Sequence, residues 1–351
     1  MRILFVMEQR VNAGSIQAAS NYVRAGEDMG HEIAVYGRPD PHFPCLRCSI
    51  DVGRFDYVVF IIESRLGWMT GLRLPRILSA VPRRRRAILD ADGMYNRIVT
   101  VNGRDRNHAT ERDHEQWLAF YHELADKIFQ PTFTPLEPDV VPLLFYGYDR
   151  ASLVNRGGAE RKSFDIVHVG HNWWRWEEVG QDLLPAIEKI RSLVGKIAFL
   201  GLWWDTAPPW AAALGLEEAF QMDAERFRRL AIEVHPPVPY VDVIPTMSKA
   251  RVNIMTQRPL LRHLKLATSK YFEIFSADTI PLVMLNPSEA ELVYGPAGRE
   301  LALHVRLDEK LIEVLEHPAR YTEIVNDVRS HLTGHHSYRQ RINELVSALA
   351  D

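Results

Sequence analysis

Between Lys265 and Leu285 the chain reads KLATSKYFEIFSADTIPLVML. Thr268 and Ser269 suit the N-terminus of a helix, where a side-chain oxygen accepts from the unpaired N–H groups of the first turn. Tyr271, Phe272 and Phe275 put apolar bulk on one side of that helix. Ala277-Asp278-Thr279 ends it, and Ile280 to Leu285 is a short apolar run suited to a parallel strand buried on both faces. A helix that feeds straight into such a strand is the repeating unit of doubly wound α/β folds. A helix start preceded by hydroxyl residues also attracts anions, because free N–H groups and the helix dipole both point there. Lys270 adds a full positive charge, and Glu273, one turn on, is placed to accept hydrogen bonds from a diol. The stretch predicts a phosphate seat followed by a seat for sugar hydroxyls.

The rest of the chain is consistent with that class. A length of 351 residues suggests two domains. With 46% apolar and 25% charged residues the composition is globular, and a core of that size needs no disulfide or metal staple. The formal net charge of −3 provides no general basic field, so nucleic acid is not an expected partner. The two cysteines, Cys45 and Cys48, form one CxxC in a Pro-rich context with no second pair to complete a zinc site. The apolar run at the N-terminus ends at Glu8, too early for a signal segment, and nothing approaches the roughly 18–20 apolar residues of a membrane span. A cytoplasmic protein without integral membrane association is expected.

The first half opens as an α/β domain. Arg2 to Met7 reads as a strand, followed by a loop bearing Gly14, a candidate phosphate contact. A helix over Ile16 to Met29, closed by Gly30, and a strand over Ile33 to Tyr36 follow. No GxGxxG is present, so a dinucleotide fingerprint is not supported. Asp56 to Ile62 is a buried strand. Arg83 to Arg86 precede the next strand and read either as a solvated loop or as a phosphate contact. Asp90 and Asp92 follow that strand, where open α/β sheets bind ligands. They are candidates for a general base or an acceptor contact, and equally for caps of the Asp-Gly turn. His108, in a polar stretch, is a candidate ligand contact, and residues 149–162 read as a linker.

The second half repeats the pattern. A strand over Ser163 to Val169 runs into Gly170, a polar loop with Arg175, and a helix over Leu183 to Leu193. That layout faces phosphate again, and the tryptophans in it either stack on a ligand or pack. Val252 to Met255 is a strand. Arg258, Arg262, Lys265 and Lys270 then form a run of cations ahead of the helix start, as a diphosphate would require. A last strand is expected over Leu301 to Val305, with helices to the end. The adjacent His335 and His336 lack a third ligand, so no metal is expected there.

Lys270-Tyr271-Phe272-Glu273-Ile274-Phe275-Ser276-Ala277-Asp278-Thr279-Ile280-Pro281-Leu282-Val283 resembles the C-terminal donor motif of GT-B glycosyltransferases of group 1, and of their spore-maturation-protein-like branch. His31 to Gly37 resembles the text after the first helix of such enzymes, and His336-Ser337-Tyr338 with Arg341 resembles the start of their last helix. Two positions depart from the pattern: Asp278 stands for a usual Gly, and Lys265 for a Glu eight residues before Glu273. The resemblance implies a GT-B fold, two Rossmann-like doubly wound domains facing across a cleft. It implies an acceptor domain over 1–160, a donor domain over 161–332, and a closing helix over 333–351 that crosses back onto the first. It also implies a metal-independent, retaining hexosyltransferase with no cofactor, acting on a nucleotide-diphosphate sugar, UDP favoured, and a hydroxyl acceptor. Glu273 would hold the ribose. Gly14, Gly170, Arg175, Arg258, Lys265, Thr268, Ser269, Lys270 and Tyr271 would line the donor, and Asp90 or Asp92 would serve as base in an inverting reaction. Alternatives on the same fold are a nucleotide-sugar epimerase or hydrolase, an inactive binding protein, or a transferase acting on DNA.

Overall fold

The computed structural model describes residues 1–8, 14–63, 74–97, 111–154 and 162–350. Two all-parallel sheets organise them. The first contains β1 (Arg2–Val6), β2 (Glu32–Tyr36), β3 (Cys48–Ser49), β4 (Tyr57–Ile62), β5 (Arg86–Asp90), β6 (Lys127–Gln130) and β7 (Val140–Pro142), in the order β3-β2-β1-β4-β5-β6-β7. β1 and β4 lie side by side at the centre, with Phe5 opposite Val59, and their apolar runs are buried on both faces. The second contains β8 (Phe164–Val169), β9 (Ile197–Leu200), β10 (Ile232–His235), β11 (Ala250–Met255) and β12 (Ile280–Val283), in the order β10-β9-β8-β11-β12.

The helices α1 (Gly14–Asp28), α2 (Leu74–Ala80) and α3 (Glu111–Leu124) accompany the first sheet. Then come α4 (Leu184–Ile190), α5 (Ala224–Arg229), α6 (Tyr240–Met247), α7 (Pro259–His263), α8 (Lys270–Glu273), α9 (Pro287–Tyr294), α10 (Leu307–Glu316), α11 (Pro318–His335) and α12 (Tyr338–Ala350). Among the described residues, no helix is long and apolar enough to cross a membrane.

The chain divides into two compact units, each drawn from separate stretches. The first comprises Met1–Gly147 with Leu260–Ser269 and Ser337–Asp351; the second comprises Tyr148–Pro259 with Lys270–His336. The Lys265–Leu285 stretch is therefore split after Ser269. In the first unit Leu266 forms an antiparallel bridge with Thr132, and Ala267 N donates to Pro131 O at 2.7 Å. Gly93 has φ +72°, and a Cβ there would lie 2.5 Å from Leu264 Cδ1, so only glycine fits beneath that segment. α12 packs on α1 in the same unit, where Tyr338 meets Tyr22 edge-on and Tyr22 stacks on Phe145. Lys127 Nζ donates to the carbonyls of Ala348 and Leu349, satisfying the end of α12.

Several expectations change. Gly14 is the first residue of α1 and not part of a loop. The helix expected after Ser269 is a single α-turn, α8, tightened into a 3₁₀ turn over Ile274–Ser276. The strand expected over Leu301 to Val305 is reduced to one bridge between Ala302 and Val283. β10 went unread because Glu233 and His235 break its apolar run; as an edge strand it tolerates them, and they pair with each other at 3.0 Å. Asp278 is absent from the left-handed backbone positions, so its place needs no glycine. The arginine run sits at the N-terminal end of β5, opposite the ligand end; Arg84 is exposed and the other three are engaged in structure. Arg83 pairs with Asp126, Arg85 donates to the carbonyls of Phe55 and Asp56, and Arg86 is buried.

Candidate functional site

In open α/β sheets ligands bind beyond the carboxyl ends of the strands, at the point where strand order reverses. That point lies between β8 and β11 in the second sheet, and between β1 and β4 in the first. Both carry polar clusters.

At the β8/β11 point, His168 is the penultimate residue of β8 and is 1% exposed. Its Nδ1 lies 3.0 Å from Ile254 O, and its Nε2 is buried without a partner among the described residues. Gly170 follows; a Cβ there would sit 3.4 Å from His168 Nε2 and 3.9 Å from Arg175 Cζ, between the two. His171 is half-buried, and Leu202 N donates to its Nδ1 at 2.9 Å. Arg175 is anchored by donating from Nη1 to His171 O at 2.7 Å, while its Nε is buried and unpartnered. Arg258, in the loop after β11, lies 6.0 Å over the ring of Trp173. Lys270 Nζ pairs with Glu273 Oε1 at 2.5 Å across one turn of α8.

The electrostatics show how closely these groups converge. Burial, then the charge of Arg258, lowers the pKa of Arg175 to about 10. Burial, with Arg175 and Lys270 adding repulsion, lowers His168 to about 3 and His171 to about 4. Arg175 and Lys270 therefore act on two neutral histidines, and Arg258 on Arg175, an arrangement that favours a bound polyanion.

The expected donor residues are not all in this cluster. Gly170, Arg175, Arg258, Lys270 and Glu273 belong to it. Arg262 and Lys265 are exposed, and they, with Thr268 and Ser269, belong to the first unit, so the expected single run of cations is divided. Lys265 takes a left-handed backbone, φ +52°. A Cβ on Gly14 would fall 2.1 Å from Ser269 Oγ, so the start of α1 presses on that hydroxyl, and glycine is required. Tyr271 is buried, and its hydroxyl accepts from Gln257 Nε2 at 2.5 Å, which makes it an anchor of α8. Glu178, unread in the sequence, is 1% exposed and accepts from Gln257 N at 2.7 Å, fixing the loop after β11. It sits in a π-helical turn, Glu177–Leu183, that opens the path into α4.

In the first unit Asp90 is fully buried. It accepts from Met94 N (2.9 Å), Tyr95 N (3.0 Å), Tyr121 Oη (2.7 Å) and Gln130 Nε2 (2.8 Å). Four donors fill a carboxylate that holds the following turn, which favours the cap reading of Asp90 over the base. Asp92 is half-buried. At the β1/β4 switch point, Glu63 accepts from Ser15 Oγ at 2.6 Å and from Tyr146 Oη at 3.4 Å. Burial, then Glu63 and Asp92, raises the Tyr146 pKa well above its ordinary value, so both carboxylates face that phenol. Glu63 carried no sequence signal, because its partners lie far along the chain. His108 and most of the 149–162 linker lie outside the described residues. Among the described residues, no three His, Cys, Asp or Glu are grouped to hold a metal.

Comparison with known proteins bears on both sheets. The chain is similar in structure to an alpha-glucosyltransferase in complex with UDP and a 13-mer DNA containing a central A:G mismatch, with a TM-score of 0.64 and 13% identity over 100% of both chains. It is also similar to T4 phage beta-glucosyltransferase, with a TM-score of 0.55 and 10% identity over 99% of each chain. A T4 phage BGT in complex with its UDP-glucose substrate matches with a TM-score of 0.52 and 11% identity, over 100% of this chain and 98% of that one. At these identities the likeness establishes the fold, GT-B with two Rossmann-like domains. No curated protein matches the chain in sequence. The glycosyl transferase-like family matches residues 167–347, from within β8 to within α12. A match over more than half of the chain makes it a member of the glycosyl transferase-like family, and so a glycosyltransferase.

Proposed function

We propose that the protein transfers a sugar from a UDP-sugar to a hydroxyl group, with the donor diphosphate seated at the β8/β11 switch point. The convergence of Arg175 and Lys270 on His168 and His171, with Arg258 acting on Arg175, carries this reading. Without an anion those cations repel one another; a diphosphate relieves the repulsion and gains most as charge builds on the leaving group. Three fixed cations take the part that a metal takes elsewhere, so the reaction needs none. On donor binding Lys270 turns from Glu273 to phosphate, and Glu273 is released to the ribose hydroxyls.

The UDP and UDP-glucose bound to the structurally similar enzymes support the choice of nucleotide. Retention of configuration, with the leaving phosphate taking the acceptor's proton, follows the group-1 and spore-maturation-protein-like likeness. If configuration is inverted, Asp92 is the base, since Asp90 is enclosed. The acceptor has a second reading. The similar alpha-glucosyltransferase is bound to DNA, so a net charge of −3 does not remove nucleic acid from the candidates.

A thermal-shift screen with UDP, GDP, ADP and dTDP and their sugars, in EDTA, tests the donor. UDP is expected to stabilise the wild type, and Arg175→Ala and Glu273→Ala to lose most of that shift. No shift with any nucleotide overturns the reading.

A further inference from the structure

We propose that His171 is an uncharged hydrogen-bond donor to the donor's diphosphate, held in its Nε2–H form by the backbone of Leu202. This rests on the donor site proposed above and adds a residue to it. A backbone amide can only donate, and Leu202 N lies 2.9 Å from His171 Nδ1. Nδ1 must therefore present its lone pair, which places the proton of the neutral ring on Nε2. Among the described residues, the one bond to the ring is this one at Nδ1, so Nε2–H is available to a ligand.

The geometry holding Leu202 is rigid. Gly201 has φ +153°, and a Cβ there would lie 2.1 Å from Gly170 O, so the ends of β8 and β9 close on each other only with glycine at this position. Trp204 Nε1 donates to the same Gly170 carbonyl at 2.7 Å, and the Trp203 ring packs 5.6 Å from His171. The amide that sets the tautomer is thus fixed by the fold. His168 is set in the opposite sense: Ile254 O can only accept, so Nδ1 carries the proton and Nε2 the lone pair. Two histidines three residues apart hold opposite tautomers, each imposed by a main-chain group.

The charged groups facing His171 are Arg175, which also binds its carbonyl, and Lys270; His168 lies beside it. Both cations oppose protonation, and burial adds to them, so the ring stays neutral across physiological pH. As the bond from the sugar's anomeric carbon to the diphosphate oxygen breaks, the electron pair stays on that oxygen. His171 donates a hydrogen bond to the diphosphate and keeps its proton. A neutral donor adds stabilisation without raising the repulsion among Arg175, Arg258 and Lys270.

UDP affinity measured by calorimetry from pH 6 to 8.5 on wild type, His171→Gln and His171→Ala tests this. His171→Ala is expected to bind UDP about 10–100-fold more weakly, the scale of a lost hydrogen bond to an anion. His171→Gln, whose amide nitrogen reaches the place of Nε2, is expected to stay within about threefold of wild type. The pH profiles of wild type and His171→Gln are expected to superimpose, because any step then belongs to UDP. Should His171→Ala fail to fold, His171→Phe, which keeps a ring and lacks the donor, carries the same expectation. Wild-type affinity in His171→Ala overturns the proposal. So does a wild-type affinity that climbs below pH 7 more steeply than that of His171→Gln, since this would mark an imidazolium. Wild type that binds no UDP overturns the donor site itself; UDP binding that Arg175→Ala weakens and His171→Ala does not overturns only the role of His171.

Discussion

Asp90 and His168 illustrate what burial does to a titratable side chain. Asp90 is enclosed by two backbone amides, a phenol and a carboxamide, all of which lose their acceptor when it is truncated. Asp90→Ala is therefore expected to cost roughly 2–4 kcal/mol in urea unfolding; a loss under about 1 kcal/mol would mean that the loop finds other partners. His168 is buried neutral, its pKa depressed to about 3 by burial and by neighbouring cations. Below its unfolded pKa of about 6.5 the unfolded chain binds a proton that the folded chain refuses. Its contribution is thus fully present above that pH and is lost as pH falls. Stability is expected to drop by roughly 1–2 kcal/mol between pH 6.5 and 5 on this account. Urea melts should show a smaller drop for His168→Asn, and an equal one would assign the pH effect to other groups.

At the scale of elements, the two positions where the chain departs from the group-1 pattern are accommodated differently. Lys265 is exposed in a left-handed turn of the first unit's inserted segment. Asp278 lies after the 3₁₀ turn, where its carboxylate pairs with Lys162 at 2.9 Å and its amide donates to Ser248 Oγ at 2.9 Å. Lys162 also donates to Ser248 O, and Arg329 of α11 donates to the carbonyls of Phe275 and Ala277. Two cations thus satisfy the end of a helix too short to sustain itself. A double-mutant cycle on Lys162→Met and Asp278→Asn is expected to give a coupling of at least about 0.5 kcal/mol; additivity would mean the pair contributes nothing. Gly14→Ala is expected to lower Tm in a thermal melt, because the added methyl would fall 2.1 Å from Ser269 Oγ and 2.8 Å from its Cβ within the first unit. An unchanged Tm would show that the Ser269 side chain turns aside at no cost.

At the scale of the whole molecule, each unit closes with sequence taken from elsewhere in the chain. α12 buries Tyr338, Ile342, Leu345 and Leu349 in the first unit. At roughly 1.5–3 kcal/mol for each buried side chain, removing residues 338–351 is expected to abolish the first unit's cooperative transition in calorimetry. A truncated chain that melts like the full one would show that α1 needs no cover. The parallel sheets were legible because strands buried on both faces are apolar runs, and that pattern is local. Arg175 and Arg258 drew notice for a local reason too, since cations in loops after such strands point to anions. The sequence could not show that Asp90 would be walled in, that Glu63 would meet Ser15, or that Leu260–Ser269 would join the first unit, since each depends on partners tens of residues away or more. The tautomers of His168 and His171 were equally invisible. The sequence by itself determined strands, class and the charge of the site; the tertiary structure alone decided which polar atoms face one another, because hydrogen bonds are made in space between groups that the chain does not keep close.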